Sequence, residues 1–263
     1  MTSAPAPAPA PRLTGAEERQ EAFGARFAEV AEPAFQERLD AQGYGIIPAL
    51  LSPADCAALI ELYAQPERFR SRIVMERHGF GRGEYQYFSY PLPEIVAALR
   101  RAAYPSLAAT ANRWHRRLNL APCFPDDLDR FLAQCHAAGQ TRPTPLMLKY
   151  GPEDYNRLHR DLYGEVHFPL QLAVLLSVPG PGGGWGGEGD FEGGEFVLTE
   201  QRPRSQSRAE VVPLGQGDAV VFAVNQRPAR GARGFYRLAM RHGVSQVRAG
   251  LRYCLGVIFH DAA

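Results

Sequence analysis

Lysine is almost missing from this chain: Lys149 is the single one among 29 basic residues, and the others are arginine. Cysteine is sparse as well. Cys56, Cys123, Cys135 and Cys254 are the only four, and no two of them form a CxxC pair. That excludes a zinc ribbon and a disulfide scaffold, and it reads as reduced, mostly buried thiols in a cytoplasmic protein. No stretch approaches ~18 uninterrupted apolar residues, so no membrane-spanning segment is expected. The opening MTSAPAPAPAPRLTG has no basic segment followed by an apolar run, and does not read as a secretory signal. Net charge is nearly absent too, with 29 basic against 28 acidic residues, a formal +1. This balance supplies no global basic field. It argues against nucleic acid or a membrane as partner while leaving room for a local patch.

What is present is a globular composition, 45% hydrophobic and 22% charged over 263 residues, enough chain to bury a substantial core. Residues 1–13 alternate Ala and Pro and read as an extended, disordered tail. From Ala16 to about Asp40 the apolar residues Phe23, Phe27, Val30 and Ala31 line one helical face, and Gly43 closes the pattern. A strand follows over Tyr44–Leu51. Ser52-Pro53 then sets an N-cap and first-turn proline for a helix through Tyr63. Ile73–Met75 and Glu84–Tyr90 read as short strands, and Glu94–Leu118 and Asp126–Ala138 as helices.

After Pro145 the texture changes. Short apolar runs alternate with Gly, Pro and polar turns: Leu146–Tyr150, Leu170–Val178, Glu195–Thr199, Ala209–Pro213, Ala219–Val224, Tyr236–Arg241 and Leu251–Phe259. Seven strands with no helix between them indicate an antiparallel sandwich or barrel. The expected class is α+β with a mainly β core. A helical support region with the first strands (14–143) braces a β core (144–263), and the two pack as one compact domain.

Ligand-type residues concentrate at His159-Arg160-Asp161. In a strand, residues two apart project to the same side, so His159 and Asp161 can face one metal. Such triplets also arise by chance. His242, after the strand Tyr236–Arg241, would complete two histidines and one carboxylate, the facial set that suits non-haem Fe(II) with positions left open. Equally, it is a polar turn residue. Arg252 heads the last apolar strand, where a buried guanidinium requires a partner such as a carboxylate; on the rim it would simply be solvated.

Taken together, Lys149-Tyr150, His159-x-Asp161, Gly193-Gly194-Glu195, Gly217-Asp218-Ala219-Val220-Val221-Phe222 and His242-x-Val244-x-x-Val247-x-x-Gly250-x-Arg252 form a pattern. It resembles the Fe(II)/2-oxoglutarate-dependent oxygenases, and their prolyl-hydroxylase-like branch most closely. The resemblance spans roughly residues 144–263 and implies a double-stranded β-helix, a jelly roll, buttressed by the N-terminal helices. It implies His159, Asp161 and His242 as iron ligands, Arg252 as anchor of the distal 2-oxoglutarate carboxylate, and Tyr150 as a second cosubstrate contact. It further implies a dioxygenase that uses Fe(II), 2-oxoglutarate and O2 to hydroxylate an unactivated C–H bond, releasing succinate and CO2. A prolyl or other amino-acid or protein side chain is the substrate the branch favours, with a free small molecule also open and a modified nucleobase the least favoured on charge.

Two departures concern the substrate side: Arg252 stands where much of the branch has Lys, and Asn156 where it often has Tyr. Lys149, Asn156, Gln171 and Trp185 are further pocket candidates. Trp185 and Phe191 lie in the glycine-rich loop 180–194, which reads as a flexible connection or as a lid. His260-Asp261, at the frayed C-terminus, is set aside as a site. A non-catalytic β-sandwich binding module and a cupin-type metalloenzyme that does not use 2-oxoglutarate are the competing readings.

Overall fold

The computed structural model describes residues 15–180 and 189–263; the expected tail 1–13 lies outside them. In chain order the front half contains α1 (Ala16–Ala31), α2 (Pro33–Gln42), β1 (Tyr44–Ile47), α3 (Pro53–Leu62), β2 (Phe69–Val74), β3 (Gly81–Arg82), β4 (Glu84–Phe88), α4 (Glu94–Arg117) and α5 (Leu128–Ala137). The back half contains β5 (Leu146–Tyr150), β6 (Tyr155–His159), β7 (Leu170–Leu175), β8 (Phe191–Gly193), β9 (Phe196–Gln201) and β10 (Ser207–Val212). It continues through β11 (Ala219–Ala223), β12 (Gln226–Gly231), β13 (Gly234–Val244), β14 (Val247–Gly250) and β15 (Arg252–Val257).

Local chemistry explains the helix ends. Pro33 disfavours helical geometry at the residue before it, and Glu32 is extended (φ −64°, ψ 140°). The single helix expected over 16–40 is therefore two. Gly43 closes α2 in the left-handed conformation at φ 82°. At α3, Ser52 and Asp55 form a reciprocal capping box with Pro53 in the first turn.

The architecture is mixed α/β with antiparallel sheets. One sheet has seven strands in the order β1-β11-β7-β15-β5-β4-β2. The other follows β10-β9-β13-β6-β3, with β12 also paired to β13, and β14-β8 form a small ribbon. The front-half strands β1, β2 and β4 belong to the large sheet, so the two halves interleave rather than stack. The structure also contains strands beyond the seven expected runs. Among them is β6, whose exposed Arg157 and Leu158 obscured its pattern.

Every residue of β7 and β11 is buried. Leu172 and Val174 face the helices, whereas Ala173 and Leu175 face the second sheet. A strand covered on both faces reads as a continuous apolar run, and Gln171 interrupts it.

The C-terminus is held firmly, contrary to the expected fraying. Asp261 is fully buried and ion-paired to Arg100 of α4 at 2.9 Å. Arg100 also donates to the carbonyls of Ile258 and Phe259, each at 2.9 Å. His136 of α5 meets the other Asp261 oxygen at 2.9 Å. Each guanidinium and carboxylate atom removed from water thus finds a partner, the condition under which a buried ion pair is tolerable.

Burial, together with the positive charges of His167 and Arg100, lowers the His260 pKa from 6.5 to about 4. Its Nδ1 accepts the Phe168 N–H at 3.2 Å. Between those values the unfolded chain binds a proton that the folded one refuses, so stability falls with acidification. The loss by pH 4 is about 3 kcal/mol. Melting temperature measured across pH 4 to 7 is expected to show this slope, and His260→Gln to flatten it.

Candidate metal and cosubstrate site

A cavity of about 200 Å³ lies between the two sheets. Its walls include Leu148, Tyr150, Ala173, Phe222 and Cys254 from the large sheet, and Asn156, Phe196, His242 and Val244 from the other. His159 and His242 are direct cross-strand partners on β6 and β13. Directly opposed residues share a face, which brings the two imidazoles together, with ring centres 4.2 Å apart. His242 thus lies inside a strand, not in the turn expected after residue 241. Asp161, two residues beyond β6, closes the set.

The geometry is that of a cation site. Asp161 Oδ1 lies 3.3 Å from His159 Nε2, and Oδ2 lies 3.2 Å from His242 Nε2. One donor atom from each residue falls within 4.8 Å of the others. His159 Nδ1 is 2.7 Å from the Arg157 carbonyl. That contact fixes the proton on Nδ1 and turns a bare Nε2 towards the cluster. Burial opposes ionisation of Asp161, but the two imidazoles overcome it and hold the carboxyl well below the usual range. Burial and the neighbouring His159 push the His242 pKa down, favouring the neutral, ligating imidazole. For His159, burial acts downward and the Asp161 carboxylate prevails, raising it.

Arg252 lines the same cavity at 2% exposure. Its Nε and Nη1 are buried and have no hydrogen-bond partner. The guanidinium lies 5.6 Å from the Tyr150 ring centre and 5.8 Å from that of Phe191. Gly194 makes room for it: a Cβ there would come within 2.9 Å of Arg252 Cδ. A desolvated cation with two idle donor nitrogens fits the carboxylate of a small dicarboxylate. Gln171 adds a second orphan, a buried Oε1 without a partner. Tyr150 is fully buried and accepts a 3.4 Å contact from Asn156 Nδ2.

The structure therefore brings together His159, Asp161, His242, Arg252, Tyr150, Asn156 and Gln171. Lys149 is a correction. Side chains alternate along β5, so Leu148 and Tyr150 face the cavity while Lys149 lies over the rings of Tyr63 and Tyr253 at 5.6 and 6.0 Å. Trp185 is outside the described residues.

Two residues absent from the expected set position the loop and carboxylate of the His159–Asp161–His242 cluster. Tyr163 donates to Asp161 Oδ1 at 2.8 Å. Gln140, buried after α5, donates to the carbonyls of Tyr163 (3.1 Å), Val166 (2.8 Å) and Asp261 (2.6 Å), and accepts from Val166 N–H. Gly164 at φ 90° allows this approach, since a Cβ would meet Gln140 Cδ at 2.4 Å. The loop after Asp161 is thereby tied to the helices and to the C-terminus.

A site of two histidines and one carboxylate, sharing a cavity with an unsatisfied buried arginine, is that of an Fe(II)- and 2-oxoglutarate-dependent oxygenase. A family profile matches residues 83–262, that of Oxygenase-NA, described as an oxygenase catalysing oxidative methylation of damaged DNA. Two uncharacterised Mycobacterium tuberculosis proteins are similar: MT2286 (strain CDC 1551 / Oshkosh) and Rv2227 (strain ATCC 25618 / H37Rv). Each is 50% identical over 204 residues, covering 76% of this chain and 84% of its own length. Among solved structures, a Pseudomonas putida prolyl-4-hydroxylase aligns with TM-score 0.48 and 15% identity, over 87% of this chain and 98% of its own. A 2OG-Fe(II) oxygenase family oxidoreductase of Burkholderia pseudomallei gives 0.48 and 14%, over 90% and 92%. The chain belongs to the Oxygenase-NA family. It is an oxidoreductase, and the reading as a non-catalytic sandwich module falls away.

Tyr163→Phe removes the hydrogen bond that orients Asp161 while leaving the three ligands. Metal affinity is expected to fall about 10–100-fold. Titration with Co(II) or Fe(II) followed by absorbance checks this, with an unchanged melting temperature as control.

Proposed function

We propose that the protein hydroxylates the N-linked alkyl carbon of a damaged nucleobase, with His159, Asp161 and His242 holding Fe(II) and Arg252 holding 2-oxoglutarate. The observation that carries the reaction is the pairing, in one cavity, of the converging triad with the orphaned Arg252 guanidinium. The two sheets around it are read as the jelly roll, and the reduced cysteines as a cytoplasmic setting.

When bound, the iron with 2-oxoglutarate and O2 supplies the oxidising power. The chain supplies placement. His159, Asp161 and His242 would hold the cation from one wall of the cavity, leaving the remaining space for cosubstrate and substrate. Arg252 would grip the distal carboxylate through its idle N–H groups, and Tyr150 and Gln171 offer polar contacts beside it. Leu148, Ala173 and Phe222 keep the cavity dry, which strengthens the ion pair at its base.

The substrate side rests on Phe80. It lines the cavity mouth, is 48% exposed, and stacks on His78 at 5.3 Å with an interplanar angle of 20°. An exposed aromatic face at a cavity mouth suits a flat heterocycle. The family description, damaged DNA, agrees with that shape. Adding oxygen to an N–CH3 carbon gives a hemiaminal, whose N–C bond then breaks to return the base and formaldehyde. One 2-oxoglutarate becomes succinate and CO2 in the same turnover.

The test is an assay of an N-methylated single-stranded oligonucleotide beside a proline-rich peptide. Formaldehyde and succinate in equal amounts from the oligonucleotide are expected. Hydroxyproline from the peptide, without formaldehyde, would overturn the substrate reading. Phe80→Ala is expected to lower kcat/KM for the oligonucleotide about tenfold, the size of one lost base stack. Arg252→Ala is expected to raise the 2-oxoglutarate requirement about 100-fold, from a charge-assisted pair of about 3 kcal/mol.

A further inference from the structure

We propose that the solvent face of the six-stranded sheet is a docking surface for the phosphate backbone of a nucleic-acid strand, carried by Arg157, Arg230, Arg237 and Arg241. This rests on the nucleic-acid reading above, though not on the identity of the damaged base.

Strand register places the four on one face. Along β13, Leu238, Met240 and His242 are buried, so the alternating Arg237 and Arg241 project to the opposite side. Arg230 of β12 faces Phe235, which shares the parity of Arg237. Arg157 lies within the bulge of β6, between Asn156 and His159, which both line the cavity, and it is exposed, as are the other three. Across β9 and β10 the same face continues through Thr199 and Gln201, then Ser207, Ala209 and Val211. No acidic residue occupies a solvent-facing strand position on this face. The two glutamates of these strands have the other parity: Glu200 is paired with Arg227 at 2.8 Å, and Glu210 lies beside Tyr44.

None of the four arginines makes an ion pair among the described residues, whereas Arg227 on the inner face and Arg208 at the edge both engage Glu200. Four unpaired guanidinium groups on an acid-free sheet face form a local positive field that the net charge of +1 conceals. The face also offers Phe235, 40% exposed beneath Arg117 at 5.1 Å, and Leu158, 43% exposed. Cationic groups beside an exposed ring and apolar surface are what a single strand requires. The surface leads to the cavity: the Arg157 N–H donates to the carbonyl of Phe80 at 2.9 Å. A strand lying on Arg237, Arg241 and Arg157 therefore reaches the aromatic mouth.

Fluorescence anisotropy of the full-length protein with an unmodified, labelled single-stranded oligonucleotide, across a salt series, tests this. Affinity is expected to fall with salt at a slope of about −0.7 per phosphate contact. Arg237→Gln with Arg241→Gln should reduce that slope by about 1.4, and Arg157→Gln by about 0.7 more. Each variant is first matched to the wild type in melting temperature. Arg202→Gln with Arg204→Gln, in the loop before β10, should leave the slope unchanged. An unaltered slope in the sheet variants, an equal loss in the loop variant, or no oligonucleotide binding would overturn the surface. Binding only to anionic phosphatidylserine vesicles would do so as well. Turnover of a free N-methylated nucleoside by the wild-type protein judges the substrate reading separately.

Discussion

Asp161 is a carboxylate taken out of water, and the site is organised around that cost. A lone buried carboxylate would take up a proton. Here His159 and His242 stand within 3.3 Å of its two oxygens, and Tyr163 donates a further hydrogen bond. The result is a carboxylate that remains charged between two nitrogen donors with little protein polarity left over. Such a group asks for a cation. Arg252 presents the complementary problem a few side chains away, a buried positive charge with two idle donors. Each group leaves a requirement that a metal and a dicarboxylate would meet, and this gives the cavity its chemical direction.

The ligands are held from outside the cavity. Gln140 joins the loop carrying Asp161 and Tyr163 to the segment that follows β15, and Arg100 and His136 clamp that segment through Asp261. The helical half therefore braces the loop that carries Asp161 as well as covering the sheet.

Much of this was legible from residue order alone. His159, Asp161, His242, Arg252 and Tyr150 stand out by residue type and spacing and share one cavity, and the ten-residue step from His242 to Arg252 spans the short strand β14 between β13 and β15. The positioning residues carry no such signature. Gln140 and Asp261 are 121 residues apart, and Arg100 and Asp261 are 161 apart, so their partnership exists only once the chain has folded. Lys149 misleads for a simpler reason: it is next to Tyr150, but period-two alternation sends it to the other face. The arginines of the outer sheet were hidden in a charge balance that averages over the whole surface.

The most direct measurement is anaerobic addition of Fe(II) and 2-oxoglutarate to metal-free protein, watched for the visible iron-to-ketoacid charge-transfer band. The band is expected in the wild type, absent in Asp161→Ala, and restored in Arg252→Ala only at much higher 2-oxoglutarate. No band from folded wild-type protein, or a band indifferent to both substitutions, would contradict the assignment of this cavity.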